Sequence, residues 1–116
     1  QNTDLRTEAF GPASLLIKCK DENSLFQCID SCEGSLTASI HCSKKEHPLA
    51  QRMTQKLESK VGRMVWNGFP PGVIPGHATH HGGPWPASTS SRHTSIGKEA
   101  YQRFIRPVCR QGFPVN

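Results

Sequence analysis

An alternating stretch followed by a four-residue repeat constrains the fold of this chain more than any other feature. Residues 35–42, SLTASIHC, alternate apolar and polar side chains, which predicts a half-buried strand. Residues 43–62 place an apolar side chain at every fourth position, which predicts a helix. Residues 63–67, RMVWN, predict a second strand. A strand, a helix and a strand in this order favour a parallel pair with a right-handed crossover.

The beginning of this helix has two candidate positions. Ser43 is followed three residues later by Glu46, which is the pattern of a capping box. Pro48 is tolerated in the first turn of a helix, so the helix begins at Ser43 or at His47. We expect Gly62 to end it.

A strand and a helix are also predicted before this unit. Residues 14–20 contain a short apolar run that is typical of a buried strand. In residues 21–34, Asp21 suits the N-cap position of a helix, apolar side chains share one face, and Gly34 suits the C-terminal stop. The chain thus contains two successive strand–helix–strand steps, which predicts an α/β fold with parallel layers.

The last third of the chain has a different character. Residues 68–95 show no period and predict a loop, and a loop longer than about 15 residues is usually functional or disordered. Residues 97–105, GKEAYQRFI, predict a short helix. Residues 106–113, RPVCRQGF, predict a terminal strand, where Pro107 suits the edge of a sheet.

Composition excludes several classes of protein. The chain has 116 residues, of which 34% are apolar, so it is one domain or less and has little material for a core of its own. The net charge of +5 is scattered, which favours a solvated basic surface over a nucleic-acid interface. No apolar run approaches the ~20 residues that cross a bilayer, so we expect no membrane association.

The five cysteines show no disulfide framework. Their number is odd, and several occupy apolar positions of predicted helices or strands. We therefore expect a reducing, cytoplasmic compartment.

Residues 77–88, HATHHGGPWPAS, contain three histidines within five positions and could supply ligands to Zn²⁺ or Ni²⁺. Neither a cysteine nor an acidic residue lies nearby to complete such a site, since Asp and Glu are absent between Glu58 and Glu99. We therefore predict no metal site and interpret this segment as the wall of a pocket. A small metal- or ligand-binding module built on the histidine loop remains the alternative.

Five motifs together resemble the NAD(P)-dependent aldehyde dehydrogenases. Residues 8–12, EAFGP, resemble the Glu-x-Phe-Gly-Pro motif of that family. WNGFPPGV, HGGPWPAS, SRHTSIG and RFIRPVCRQGFP follow in the family's order. The series is similar to the branch that oxidises 2-oxoglutarate semialdehyde (2,5-dioxovalerate) and, in relatives, fatty aldehydes. The extra prolines of PPGVIPG, and Arg110 where an aromatic residue is more usual, leave the substrate open.

The resemblance implies a fragment of the aldehyde dehydrogenase catalytic domain. Residues 1–97 would be the C-terminal part of that domain, and residues 98–116 its terminal helix and oligomerisation strand. The family's cysteine nucleophile and glutamate base would lie upstream, so we expect no catalytic residue in this chain and no activity from it alone. The parent would bind NADP or NAD mainly through its N-terminal part, oxidise a small aldehyde, and form a homodimer or homotetramer.

The resemblance also assigns binding residues. Glu8 matches the glutamate that accepts hydrogen bonds from the nicotinamide ribose, and Phe10 matches the aromatic residue beside the nicotinamide ring. A solvated Glu8 and a core Phe10 are the alternatives. The loop would line the substrate tunnel, with an imidazole or indole N–H available to a substrate carboxylate. The candidate pocket residues are His80, His81, Trp85 and Arg92.

Overall fold

The computed structural model describes residues 9–114 of the chain. The elements in chain order are helix α1 (Glu22–Ser31), strand β1 (Ser35–Ile40), a 3-10 turn (Lys44–Glu46), helix α2 (His47–Leu57), strand β2 (Val61–Trp66) and a 3-10 helix (Lys98–Phe104). The predicted α/β class is confirmed. Within the described residues, no helix has both the length and the apolar character needed to cross a membrane.

The two strands form a parallel pair, with α2 as the connection between them. Their register runs from Ser35 opposite Val61 to Ile40 opposite Trp66. One backbone hydrogen bond of 2.8 Å continues the ladder at each end. It runs from Ser35 N to Lys60 O at the first end and from Asn67 N to Ile40 O at the other. The strand–helix–strand unit predicted from the alternation and the four-residue repeat is confirmed.

Helix α1 begins where its sequence predicts. The Asp21 carboxylate accepts the Ser24 N–H at 2.7 Å, and the Ser24 hydroxyl accepts the Asp21 N–H at 3.1 Å. These reciprocal bonds satisfy two N–H groups that lack partners at a helix start. The helix ends at Ser31, before Gly34, and at this end Lys60 Nζ donates to the carbonyls of Asp30 and Cys32 at 2.9 and 2.6 Å. The predicted stop at Gly34 is therefore three residues too late.

Both candidate starts of the second helix are used. Ser43 and Glu46 form the predicted capping box, in which Glu46 Oε2 accepts from the Ser43 N–H at 2.8 Å and from its hydroxyl at 2.7 Å. This box opens the 3-10 turn, and α2 proper begins at His47. The prediction that Gly62 ends α2 is wrong. The helix ends at Leu57, and Gly62 lies inside β2 because the chain from Val61 onward pairs with β1.

A small core lies between the helices and the sheet. Of the described apolar residues, the buried ones are Ile29 of α1, Ile40 of β1 and Ala50 of α2. Two exposed ion pairs, Arg52 with Glu22 and Lys56 with Asp30, join the helices at their surface. Exposed pairs contribute at most about 1 kcal/mol each, so the apolar contacts carry most of the packing energy.

Two of the predicted strands are absent. Residues 14–20 and 106–113 are neither helix nor strand, and they expose apolar side chains such as Leu16 and Val108. A strand exists only through hydrogen bonds to a partner, and in the described part of the chain β1 and β2 pair with each other alone. The short helix predicted over residues 97–105 is confirmed in position, and it takes the 3-10 form.

The two capping carboxylates make the stability of the chain pH-dependent. Hydrogen bonds from the Ser24 backbone and hydroxyl lower the pKa of Asp21, and those from the Ser43 hydroxyl and backbone lower the pKa of Glu46. Their contribution is therefore complete above the ordinary carboxyl pKa, near pH 4, and is lost as the pH falls through the lowered native values. Denaturant unfolding over that range should show a shallower pH dependence for Asp21→Asn and Glu46→Gln than for the original chain.

Glu33→Gln is the matched control, because the Glu33 carboxylate caps neither helix. A pH slope that is equally reduced in the control and in the two capping variants would contradict this assignment.

Candidate functional site

The connection from β2 to the 3-10 helix is a long loop whose two arms are bonded together. Thr94 is buried, and its hydroxyl accepts the His81 N–H at 2.8 Å and donates to the Ile96 carbonyl at 2.7 Å. The Ser95 N–H donates to the His81 carbonyl at 2.9 Å. The predicted loop is thus confirmed, and it is held in one shape by its own polar groups.

A second set of hydrogen bonds closes the tip of this loop. The Ser88 hydroxyl lies within hydrogen-bond distance of the carbonyl oxygens of Gly83 and Ser90, at 2.6 and 3.0 Å, and its single proton is available to either. Ser90 Oγ and His93 Nδ1 are paired at 3.0 Å. These bonds span few residues, so they are local to the loop tip.

The glycine pair of HHGGPWP packs against the beginnings of both strands. A Cβ atom on Gly83 would lie 2.5 Å from the carbonyl oxygen of Ser35, the first residue of β1. A Cβ atom on Gly62, the second residue of β2, would lie 1.7 Å from the carbonyl oxygen of Gly82. Backbone therefore contacts backbone directly, which only glycine permits at these positions. The contacts fix the predicted pocket wall at the amino ends of the parallel strands.

The four candidate pocket residues fall into a half-buried pair of histidines and two exposed side chains. His80 is half-buried in a depression of about 350 Å³, and His81 is half-buried beside it with its backbone tied to Thr94 and Ser95. Trp85 and Arg92 are exposed and do not line this depression. The lining residues are Glu58, Ser59, Val61, Gly62, His80, Gly83, Pro84 and Ser91.

Of the two residues predicted to contact the cofactor, the structure describes only Phe10. Glu8 lies outside the described residues. Phe10 is 98% exposed, so it is not a core residue in this chain and its ring is free to meet another group. Its assignment to the nicotinamide ring stays a prediction.

The third histidine of the loop contacts the 3-10 helix. His77 Nε2 lies 3.1 Å from Lys98 Nζ, and His77 Nδ1 lies 3.9 Å from Glu99 Oε1. Among residues 9–114, no three His, Cys, Asp or Glu side chains are grouped so that they could hold a metal ion. These contacts place the His77 side chain beside the first two residues of the last 3-10 helix.

All five cysteines are free thiols. Desolvation, reinforced by the neighbouring Cys28 thiol, raises the pKa of Cys19, and desolvation likewise raises the pKa of Cys32. A cysteine nucleophile needs a lowered pKa, because the thiolate is the attacking form. The environments of these two thiols are the opposite of an activating one.

The sequence reasoning missed a polar cluster at the other end of the strands. Asn67 adopts a left-handed conformation, with φ of 47°, and its side-chain amide bonds to the backbone of Cys42. The Arg63 guanidinium donates to the Pro70 carbonyl. The Asn67–Gly68 pair directly after a predicted strand is a turn signal that could have located this cluster.

Comparison with curated proteins finds relatives of high identity, whereas no family model matches the chain. The chain is 45% identical over 107 residues to alpha-ketoglutaric semialdehyde dehydrogenase 2 of Azospirillum brasilense, which covers 92% of this chain and 20% of the relative. It is 44% identical over 110 residues to alpha-ketoglutaric semialdehyde dehydrogenase of Acinetobacter baylyi, which covers 95% of this chain and 21% of the relative. The chain thus spans about one fifth of the length of these relatives.

Replacement of Thr94 by valine tests whether its hydroxyl holds the loop. Valine keeps the shape but leaves the His81 N–H and the Ile96 carbonyl without their partner, which should cost about 2 kcal/mol of unfolding free energy. Denaturant unfolding measures this loss. Thr89→Val, at an exposed position of the same loop, is the control and should change the value by less than about 0.5 kcal/mol. Equal effects of the two substitutions would refute the role of Thr94.

Proposed function

Because this chain is homologous to a segment of the aldehyde dehydrogenases, we propose that it forms part of an enzyme that oxidises an aldehyde to a carboxylic acid with NAD⁺ or NADP⁺. The observation that carries this proposal is the identity of 44–45% to two alpha-ketoglutaric semialdehyde dehydrogenases across more than nine tenths of the chain. The proposed substrate is accordingly 2-oxoglutarate semialdehyde or a related aldehyde. The activity is proposed for the longer polypeptide, since the chain spans one fifth of these relatives.

Within that enzyme the chain is the C-terminal part of the catalytic domain. Residues 1–97 would belong to the domain, and residues 98–116 would form its terminal helix and a segment that becomes a strand only by pairing across a subunit interface. The exposed apolar side chains of Val108 and Phe113 support an additional contact there. The proposed assembly is a homodimer or homotetramer located in the cytoplasm, without nucleic-acid or membrane partners.

The chemical step belongs to residues upstream of this chain. A cysteine nucleophile and a glutamate base would act there, and bound nicotinamide would accept the hydride. The raised pKa values of Cys19 and Cys32 support this division, because neither thiol is prepared for attack at neutral pH. The chain contributes the walls and the placement of the site.

On the cofactor side, the proposed contacts are Glu8 and Phe10. A carboxylate is suited to a ribose diol because it only accepts hydrogen bonds, and its charge strengthens them. The ring of Phe10 fits the proposed contact with nicotinamide in chemical type, since it is apolar and 98% exposed. Holding the ribose fixes the nicotinamide relative to the reacting carbon, which is an effect of positioning.

On the substrate side, the proposed wall is the histidine loop. His80 and His81 sit on the rigid part that Thr94 and the glycine pair hold in place. Trp85 and Arg92 are more exposed and would act at the far end of the substrate. Imidazole, indole and guanidinium N–H groups are donors, which suits the carboxylate of a semialdehyde acid.

Activity measurements on two polypeptides test the proposed function. The full-length polypeptide that contains this chain should reduce NAD⁺ or NADP⁺ when 2-oxoglutarate semialdehyde is added, which absorbance of the reduced nicotinamide reports. The 116-residue chain alone should show no turnover, because the proposed nucleophile would lie upstream of it. Turnover by the highly purified short chain would refute the second expectation, and an inactive full-length protein would refute the first.

Glu8→Gln in the full-length enzyme tests cofactor placement. Loss of a charge-assisted hydrogen bond is worth about 1.5–3 kcal/mol, so hydride transfer should slow by about ten- to a hundredfold. Single-turnover kinetics measure that step directly. Glu33→Gln is the control and should leave the rate unchanged. An unchanged rate of hydride transfer in Glu8→Gln would exclude the proposed ribose contact.

A further inference from the structure

Three cysteines lie in and around helix α1, and the proposed function uses none of them. Cys28 is inside the helix, Cys32 is its C-cap residue, and Cys19 comes two residues before its N-cap. Cys19 and Cys28 are half-buried, whereas Cys32 is exposed. Oxidation joins two thiols only when the fold brings their side chains together. The positions of these three residues therefore decide which pair can form a disulfide.

Cys19 is the point at which the segment before α1 meets the rest of the chain. Of residues 9–20, all are exposed except Cys19. Desolvation is the first cause that raises the pKa of Cys19, and charge repulsion by Cys28 and a side-chain hydrogen bond with Cys28 are the next. A hydrogen bond between side chains acts only over a few ångström. The two sulfur atoms are thus close neighbours in the folded chain, although nine positions separate them in the sequence.

The Cys32 thiol is directed at the backbone of α1. Its Sγ donates to the Cys28 carbonyl at 3.3 Å. Residues four apart on a helix have Cβ atoms about 5–6 Å apart, whereas a disulfide needs about 3.5–4.5 Å. Lys60 Nζ also holds this end of the helix, because it donates to the Cys32 carbonyl at 2.6 Å. A bond between Cys28 and Cys32 would require the helix end to unwind, so the fold favours Cys19 as the partner of Cys28.

We propose that Cys19 and Cys28 form a reversible disulfide when the protein meets a small oxidising disulfide, and that this bond attaches residues 9–20 to α1. Disulfides in a reducing compartment are rare, and those that form are usually transient and responsive to oxidants. The inference goes beyond the proposed function, since neither thiol takes part in the oxidation of the aldehyde.

The bond forms by two exchange steps with oxidised glutathione as the probe. The Cys28 thiolate attacks one sulfur of the probe, whose S–S bond breaks, and one glutathione leaves as a thiolate that takes up a proton. Cys19 then gives its proton to water and its sulfur attacks the Cys28 sulfur, which expels the second glutathione in the same way. Two protein thiols are thereby oxidised, and one disulfide of the probe is reduced to two thiols.

The environment of Cys19 sets the order of these steps and the persistence of the bond. Its raised pKa leaves little thiolate, which assigns the first attack to Cys28. A thiol of raised pKa is also a poor leaving group. A reductant that attacks the Cys28 sulfur must expel Cys19, so the finished disulfide should be reduced more slowly than a mixed disulfide on the exposed Cys32.

Peptide mapping of the full-length polypeptide tests the assignment. The protein is equilibrated with oxidised glutathione, the remaining thiols are alkylated, and the unreduced peptides are identified by mass spectrometry. We expect a linked peptide that contains Cys19 and Cys28 and that disappears after treatment with dithiothreitol. In urea the preference of Cys28 for Cys19 should be lost, because only the fold brings these two sulfur atoms together.

Cysteine variants identify the partners. Cys28→Ser should abolish the linked peptide and leave Cys19 open to alkylation, and Cys28→Ala should give the same result without a new hydroxyl at a half-buried position. Cys42→Ser is the matched control. Cys42 is also half-buried, but it lies beyond the end of β1, and the bonds that Asn67 makes to it involve only its backbone. This variant should leave the yield of the linked peptide unchanged.

Any of three results for the original protein would overturn the inference. The first is complete alkylation of Cys19 and Cys28 after equilibration with the probe, and the second is a bond from Cys28 to Cys32 instead of Cys19. The third is an equal yield of the Cys19–Cys28 peptide in urea and in the folded protein. None of these results bears on aldehyde oxidation, which is measured with the reduced enzyme, so the two proposals fail separately.

Discussion

The parallel pairing of β1 and β2 is the constraint on which the rest of the structure depends. Parallel strands cannot be joined by a tight turn, so the chain must cross over, and α2 makes that crossing. The crossing covers one face of the sheet and forms the core around Ile40. It also brings both strand starts to one edge and both strand ends to the other. The histidine loop uses the first edge and the Asn67 cluster uses the second.

Local signals predicted the elements whose determinants are local. The Asp21 and Ser43 caps, the alternation in β1 and the repeat in α2 each act within a few residues. Each predicted the right element, although burial along β1 increases towards Ile40 instead of alternating. Residues 14–20 and 106–113 were wrong as strands because an extended conformation becomes a strand only when a partner lies beside it. Gly62 was misinterpreted for a related reason. Its small size serves the approach of the Gly82 carbonyl, which is distant in the sequence.

The sequence predicted the histidine loop and the Asn67 cluster to different extents. The motif resemblance located the loop with His80 and His81, but no pattern in the sequence indicated that Thr94 would hold it. Thr94 acts through a residue thirteen positions earlier, and only the folded loop shows that pairing. Asn67 followed by Gly68 was a usable turn signal. The partner of Arg63 was not predictable, because it depends on where that turn sends Pro70.

The histidine loop and the exposed apolar side chains of this chain are stabilised in different ways. The loop is closed by hydrogen bonds of Thr94 and Ser88 and by glycine contacts to the strand starts, all of which lie within the described residues. By contrast, Leu16, Ile74 and Phe104 remain exposed and contribute nothing to the core. Apolar burial stabilises a fold by about 25 cal/mol per Å² of surface removed from water. These exposed side chains would therefore stabilise the fold only after further contacts cover them. The histidine loop is therefore shaped by polar and glycine contacts within this chain, whereas the proposed attachment to a longer polypeptide would use apolar surface that is still uncovered.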